Sequence, residues 1–272
     1  MNDKILILGK GYVGLRLQEE LGCAISEKKI QSYQDADAEV KKFKPDILIN
    51  CIGHVGRNVD ECEQDIDRSL MVNSFIPLVL AEAAIRNNIR FVHISSGCIY
   101  HYDYVLDKPI AEDKTPDFFE LFYSRTKIYS EQPLANLSSK YPILVVRIRV
   151  PLDGRPHSRN LLTKLIGYKK VINAPNSVTY MPDFLAALKH LIKIKAQGVY
   201  NVVNKGPLVY ADLMNVYKRH KPDFDYEVMD YLALTSPRTN LVLSVDKLER
   251  SGFKMRGINE VLEECVVEYI KY

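Results

Sequence analysis

The stretch Lys4-Ile5-Leu6-Ile7-Leu8-Gly9-Lys10-Gly11-Tyr12-Val13-Gly14 decides the fold of this chain. Residues 4–8 form an apolar run without alternation, the pattern of a central parallel strand covered on both faces. The glycines follow at once in Gly-x-Gly-x-x-Gly spacing, and Val13, Leu17 and Leu21 then recur at i, i+4 and i+8. That period places the three side chains on one face of a helix. In such a strand–turn–helix unit Gly9 permits the tight turn, Gly11 admits a pyrophosphate to the backbone, and Gly14 lets the helix pack close to the strand. The helix start at Tyr12 and Val13 offers free N–H groups and a positive dipole end to the phosphates. The spacing alone is a weak signal. Placed directly after the first strand and opening an amphipathic helix, it predicts dinucleotide binding.

Outward from this unit, residues 23–26 read as a second short strand, ending in Ser26-Glu27-Lys28-Lys29. An acid at this place takes the ribose hydroxyls of NAD, whereas serine and lysine take the 2′-phosphate of NADP. Ser26, Lys28 and Lys29 outnumber Glu27, so NADPH is the expected cofactor, with NADH left open. The unit then repeats: helix 37–43, strand 47–52 reaching Ile52 and Gly53, and helix 66–87 with Asn73 inside it and a bend at Pro77. Strand 89–95, helix 119–134 and a β-rich stretch 141–149 complete the series. Strands alternating with helices predict an α/β fold, a Rossmann-type doubly wound parallel sheet spanning residues 1–150. After Pro151 the chain becomes rich in proline, asparagine and basic residues. Residues 151–180 and 204–272 are therefore expected to form a smaller C-terminal substrate-binding lobe, with 181–203 rejoining the sheet. Ligands are expected at the carboxyl ends of the strands.

The totals narrow the function classes. The chain has 272 residues, 47% apolar and 26% charged, with a formal charge of +3; a balance so near neutral argues against nucleic acid as a partner. Its longest apolar runs, 47–52 and 143–146, have strand length, so no membrane partner is expected. Met1-Asn2-Asp3-Lys4 resembles neither a signal nor a transit peptide. Cys23, Cys51, Cys62, Cys98 and Cys265 are scattered without a Cys-x-x-Cys pair. That arrangement points away from a disulfide framework and structural zinc, and towards the reducing cytoplasm. No histidine pair has metal-ligand spacing, so no metal is expected.

The chemistry gathers at two places. Strand 89–95 runs into Ser96-Gly97-Cys98, and Tyr123 and Lys127 lie four apart on the following helix, hence on one face. Hydride transfer to a ketone develops negative charge on oxygen, which must be protonated. A tyrosine serves as that acid when a neighbouring ammonium stabilises its phenolate. Lys127 stands one turn along for this and for holding the nicotinamide ribose, and Ser96 would hydrogen-bond the same oxygen. A serine at a strand end followed by Tyr-x-x-x-Lys is the catalytic set of the short-chain dehydrogenases, with Asn73 as its supporting asparagine. Cys98 is the additional member: a thiol titrates near pH 8.5 and is suited to giving or taking a proton.

The chain resembles extended short-chain dehydrogenases that act on sugar nucleotides. Within them it is most similar to the bifunctional 3,5-epimerase/4-reductases that make UDP-L-rhamnose, related in turn to the dTDP-4-dehydrorhamnose reductases. The matching segments are Gly56-Arg57-Asn58-Val59-Asp60 with Cys62-Glu63, Gly97-Cys98-Ile99-Tyr100, Glu112 to Phe118, and Tyr123-Ser124-Arg125-Thr126-Lys127. They continue through Arg147-Ile148-Arg149-Val150-Pro151, Arg159 to Lys164, Ala174-Pro175-Asn176-Ser177-Val178-Thr179 and Pro237-Arg238-Thr239-Asn240 to Asp246-Lys247-Leu248. The first fifty residues match least, and position 96 carries serine where relatives carry threonine.

This resemblance implies an NADPH-dependent reductase of a nucleotide-linked 4-keto-6-deoxyhexose that also epimerises C3 and C5. It assigns proton shuttling to Cys98 and to an opposing lysine, Lys170, in the segment Tyr168 to Asn173. Arg57, Asn58, Asn160, Val171, Asn173, Ser177 and Arg238 are the implied substrate contacts, and a homodimer is admissible. The alternatives are a 4-reductase alone or a dinucleotide-sensing regulator without turnover.

Overall fold

The structure, a computed structural model, describes residues 3–56, 58–234 and 237–272. They form two compact units. The first comprises Met1–Ile99, Pro116–Arg147 and Leu191–Tyr200. Its strands are β1 (Ile5–Leu8), β2 (Ala24–Ser26), β3 (Ile47–Asn50), β4 (Arg90–Ser96) and β5 (Ile143–Ile148), with a last strand at Gly198–Asn201. They make one six-stranded sheet in the order β2-β1-β3-β4-β5 and then Gly198–Asn201. β1 runs parallel to β2, with Leu6 opposite Ala24, and parallel to β3, with Leu8 opposite Asn50. β3 in turn is parallel to β4, with Asn50 opposite His93. Every residue of β1 and β3 is buried, as their unbroken apolar runs require. The chain leaves β1 on one side for β2 and returns on the other for β3. That reversal opens a ligand crevice at the carboxyl ends of the two strands.

The helices follow the apolar pattern with three differences, one of them the helix expected over 119–134, which spans Phe122–Leu137. α1 (Tyr12–Leu21) matches its expectation, but α2 spans Tyr33–Phe43 and so starts before residue 37. Ser32 sets that start, its hydroxyl accepting the Asp35 N–H at 3.2 Å. The stretch expected as one bent helix over 66–87 is divided. After the short α3 (Glu61–Gln64) come α4 (Ile66–Leu70), a π-helical turn at Met71–Phe75, and α5 (Ile76–Arg86). Pro77 lies in the first turn of α5 and has no N–H for the carbonyl of Asn73. The widened turn, in which the Ile76 N–H donates to Met71 O, takes up the break. By length and composition the run Ile66–Arg86 is apolar enough to cross a membrane, yet half of that window is buried inside the protein. α5 packs its buried side chains Leu80, Ala83 and Ala84 into a core with Leu6, Leu48, Phe91 and Val145. α6 (Phe122–Leu137) follows β4.

The second unit comprises Tyr100–Thr115, Ile148–His190 and Asn201–Tyr272. Leu152, Leu162, Val171, Tyr180, Leu213, Ile258 and Leu262 are buried in its core. Two short parallel pairings brace it: Lys170–Ile172 with Glu227–Met229, and Pro151–Leu152 with Thr179–Tyr180. The helices Leu161–Ile166, Tyr210–His220 and Ile258–Tyr269 supply most of its apolar surface.

Candidate active site

The turn after β1 has the shape its glycines call for. Gly9 has φ +106°, and a Cβ there would stand 2.6 Å from the backbone of Cys51 and Ile52. A Cβ on Gly14 would meet the Gly9 carbonyl oxygen at 2.0 Å, so α1 and the turn touch backbone to backbone. Gly11 differs: a Cβ there would meet nothing within 4 Å. The fold requires glycine at 9 and 14, whereas at 11 glycine keeps space clear at the N-terminus of α1. A bound pyrophosphate fits that cradle, with N–H groups and the helix dipole to hold it.

At the end of β3, Asn50 is fully buried. Its Oδ1 accepts the Ile52 N–H at 2.9 Å, and its Nδ2 lies 3.0 Å from Nδ1 of His93 on β4. An amide nitrogen only donates, so His93 accepts at Nδ1 and is neutral with its proton on Nε2. Burial, with the Lys127 charge as a second cause, holds its pKa well below the usual range. Ile52 and Gly53 leave the strand here, and a Cβ on Gly53 would lie 3.7 Å from Lys127 Nζ and 3.8 Å from Asn73 Oδ1. Asn73 is fully buried in the π-turn. Its Oδ1 accepts the His54 N–H at 2.8 Å, while Nδ2 donates to His54 O at 2.8 Å and to Thr126 Oγ1 at 3.2 Å. Asn73 is thus a clamp holding the loop after β3 to α6.

β4 and α6 bring the expected catalytic set into one unit. Ser96 is nearly buried, and its Oγ accepts the Cys98 N–H at 3.3 Å; the half-buried Cys98 stands just beyond. Lys127 is buried, with Nζ 5.9 Å from the centroid of the partly buried Tyr123 ring. Burial lowers the Lys127 pKa to about 8, against the opposing pull of Glu131, Cys62 and Cys98. Among the described residues no hydrogen bond reaches this ammonium. A ribose hydroxyl of a dinucleotide is the kind of group that fits beside it. Behind it, Glu131 and Arg147 form a buried ion pair at 2.6 Å, and Ser95 Oγ donates to Glu131 at 2.6 Å. This network fastens α6 to β4 and β5.

The end of β2 is already internally bonded. Ser26 donates to the buried Glu39 and accepts the Lys28 N–H at 3.0 Å, while Lys28 Nζ pairs with Asp35 at 3.0 Å. Lys10, in the glycine turn, pairs with Glu27 and holds its carboxyl below the usual range. Sequence reasoning overlooked Lys10, because the reach from the turn to β2 is not local in the chain.

The expected substrate contacts separate, most of them lying in the second unit and Asn58 in the first. Asn160 is fully buried, and all four of its amide positions are engaged. Oδ1 accepts from Asp153 N and Leu162 N, and Nδ2 donates to Asp153 O and Arg155 O, all within 3.1 Å. It caps the helix Leu161–Ile166 and has no valence left for a ligand. Val171 is core, and Ser177 Oγ accepts the Leu243 N–H at 2.9 Å. Asn173 is exposed and accepts from Tyr231 N at 3.3 Å. The exposed Arg238 donates to Pro237 O at 2.8 Å, and Asn58 Oδ1 accepts the Asp60 N–H at 3.0 Å. Arg57 lies outside the described residues. Lys170 is exposed and paired with Glu227 at 3.1 Å, whereas Lys164 is half-buried and its pKa is lowered by burial and by Arg159. Arg149, quoted above within a matching segment but given no role there, is buried and donates to Thr239 Oγ1 at 2.9 Å and Thr239 O at 2.7 Å, and also to Asn176 Oδ1.

Known proteins carry the same framework. The chain is 29% identical, over 97% of its length and 92% of the relative's, to a bifunctional dTDP-4-dehydrorhamnose 3,5-epimerase/dTDP-4-dehydrorhamnose reductase of Arabidopsis thaliana. It is 28% identical to a trifunctional Arabidopsis thaliana UDP-glucose 4,6-dehydratase/UDP-4-keto-6-deoxy-D-glucose 3,5-epimerase/UDP-4-keto-L-rhamnose-reductase, matching over 97% of this chain and spanning only 42% of that relative. The crystal structure of a UDP-rhamnose synthase from Acanthamoeba polyphaga mimivirus superposes with a TM-score of 0.91 at 24% identity, covering 98% of this chain and all of the other. That likeness shows a shared α/β fold. Residues 3–208 match the RmlD substrate binding domain, and the chain belongs to that family.

Proposed function

We propose that this protein reduces the 4-keto group of a nucleotide-linked 4-keto-6-deoxyhexose with NADPH, after inverting the sugar at C3 and C5, to give UDP-L-rhamnose or a close analogue. The observation that carries the reading is the set Ser96, Cys98, Tyr123 and Lys127 in one unit, beside the open cradle at Gly11. NADPH, when bound, supplies the hydride for C4. Lys28 and Lys29 are both exposed after β2, and with Ser26 they favour a 2′-phosphate over a bare ribose.

The chain's own groups manage the protons. The Ser96 hydroxyl already accepts a hydrogen bond from the Cys98 backbone, so its own hydrogen is available for the sugar carbonyl. Tyr123 gives its phenolic proton to the oxygen at C4 as negative charge develops there. The Lys127 ammonium stabilises the phenolate left behind. A pKa of about 8 keeps that ammonium mostly charged at neutral pH while easing proton exchange.

Epimerisation uses the acidity of C–H bonds beside a ketone. A base removes the proton from one face, the bonding electrons pass into the enolate, and an acid returns a proton to the other face. Cys98 is one partner. Lys170 is the expected other, exposed and paired with Glu227 at 3.1 Å. A reductase without epimerase activity is the second reading, favoured by the surface position of Lys170.

Incubation with UDP-4-keto-6-deoxyglucose and NADPH in deuterated water separates these readings. Rhamnose carrying deuterium at C3 and C5 is the expected product. Reduction without label leaves only the reductase, and failure with the UDP and dTDP substrates alike would falsify both readings. Cys98→Ala and Lys170→Ala should each abolish label incorporation, and Cys98→Ala should spare reduction of a substrate already inverted.

A further inference from the structure

α6 carries Tyr123 in its first turn and Lys127 in its second, yet its start has no cap of its own. The residue before it, Leu121, is extended, with φ −101° and ψ 133°, and offers no side-chain acceptor. The first N–H groups of a helix have no partner within it, and an uncapped first turn frays. Here the Phe122 N–H donates to Oε1 of Glu63, a residue 59 positions earlier in the chain. The carboxylate sits where the helix dipole favours negative charge.

Glu63 belongs to α3, in the connection between β3 and α4. Asn73 clamps that connection at His54, and Cys62 Sγ lies 3.7 Å from His54 O. Its beginning, Gly53, stands beside Lys127. The connection therefore touches α6 twice, at Lys127 through Gly53 and at the N-terminus through Glu63. We propose that Glu63 is a positioning residue: it caps α6 from another part of the chain, fixes the first turn, and so holds Tyr123 at the hydride-accepting carbon's oxygen. The second half of this statement rests on the reductase reading above, whereas the cap itself does not.

The test measures two quantities in wild type, Glu63→Ala and Glu63→Gln. The first is turnover, with NADPH affinity measured separately by fluorescence. Glu63→Ala is expected to lower kcat about tenfold, the rate equivalent of a typical lost cap, with NADPH affinity unchanged. Glu63→Gln keeps an acceptor oxygen and is expected to restore most of the loss. In a Tyr123→Phe background Glu63→Ala is expected to add little, because the two changes remove the same step. An unchanged kcat in Glu63→Ala, no rescue by glutamine, or full additivity with Tyr123→Phe overturns the positioning role. The second quantity is hydrogen exchange at the Phe122 amide, which needs no substrate. It is expected to be protected in wild type and in Glu63→Gln and fast in Glu63→Ala. Fast exchange in the wild type overturns the cap whatever the enzyme turns over. A protected amide in a protein that reduces no keto sugar upholds the cap while overturning the reductase reading.

Discussion

Burial beside Tyr123 lowers the Lys127 pKa from an ordinary 10.5 to about 8, which ties catalysis and stability to pH in opposite senses. The log of kcat/KM should fall on the alkaline side, with a limb near pH 8 in the free enzyme, because only the ammonium stabilises a tyrosinate. A limb found only above pH 10 would refute a catalytic Lys127 of this character. For stability, the unfolded chain keeps the proton between pH 8 and 10.5 while the folded chain has released it, so this group makes the protein more stable as pH rises through that window. Below pH 8 the fold carries the cost of a buried charge in full. Lys127→Met should therefore raise the unfolding free energy at pH 7, by about 2 kcal/mol, while cutting reductase turnover at least about a hundredfold. Denaturant titration and initial rates check the two halves, and a destabilised methionine variant would contradict the first. Ser96, Tyr123 and Lys127 were legible because their residue types and spacing are local. The depressed Lys164 pKa was not, since burial is a property of packing.

Among elements, the β1–α1 unit makes the sharpest contrast. Gly14→Ala puts a Cβ 2.0 Å from the Gly9 carbonyl and should cost about 3 kcal/mol or more through forced backbone movement. Gly11→Ala has no neighbour to strike and should melt as the wild type does while losing most of its NADPH affinity. Calorimetry and fluorescence titration decide, and equal damage from both changes would sink the distinction. The π-turn makes a second case. Asn73→Ala removes one partner of the His54 N–H and one of its C=O, at a cost of about 2–3 kcal/mol. It should also loosen the loop that Gly53 carries past Lys127, weakening NADPH binding in the same titration. Periodicity revealed α1 and the strands, because one face or both are continuously apolar. It did not reveal the π-turn, since the run Ile66–Arg86 is apolar enough to pass for a membrane span and leaves no clear stripe in which an offset of one residue could be read. The α6 cap was equally hidden, as its two partners stand 59 residues apart.

For the whole molecule, every residue assigned to the dinucleotide falls in the first unit: Gly9 to Gly14, Ser26, Lys28, Ile52, Gly53, Asn73, Tyr123 and Lys127. NADPH should slow amide exchange in peptides covering β1–α1, residues 50–54 and α6, and leave Tyr210–His220 and Ile258–Tyr269 unchanged. At a hundredfold excess over Kd it should add about 2.7 kcal/mol to stability. Protection spread evenly over both units would count against this assignment. The sheet was readable from strand–helix alternation, whereas the second unit was readable only as a lobe over 151–180 and 204–272, without Tyr100–Thr115 or its strand pairings. Its pairing of Lys170–Ile172 with Glu227–Met229 joins two three-residue strands with exposed ends, too short to carry a period. The three glycines of the first turn also have a historical consequence. Positions 9 and 14 answer to the backbone and position 11 answers to the ligand alone. A descendant released from dinucleotide binding could drift at 11 while its ancestry stayed written at 9 and 14, so the motif would decay in a fixed order, function first and architecture last.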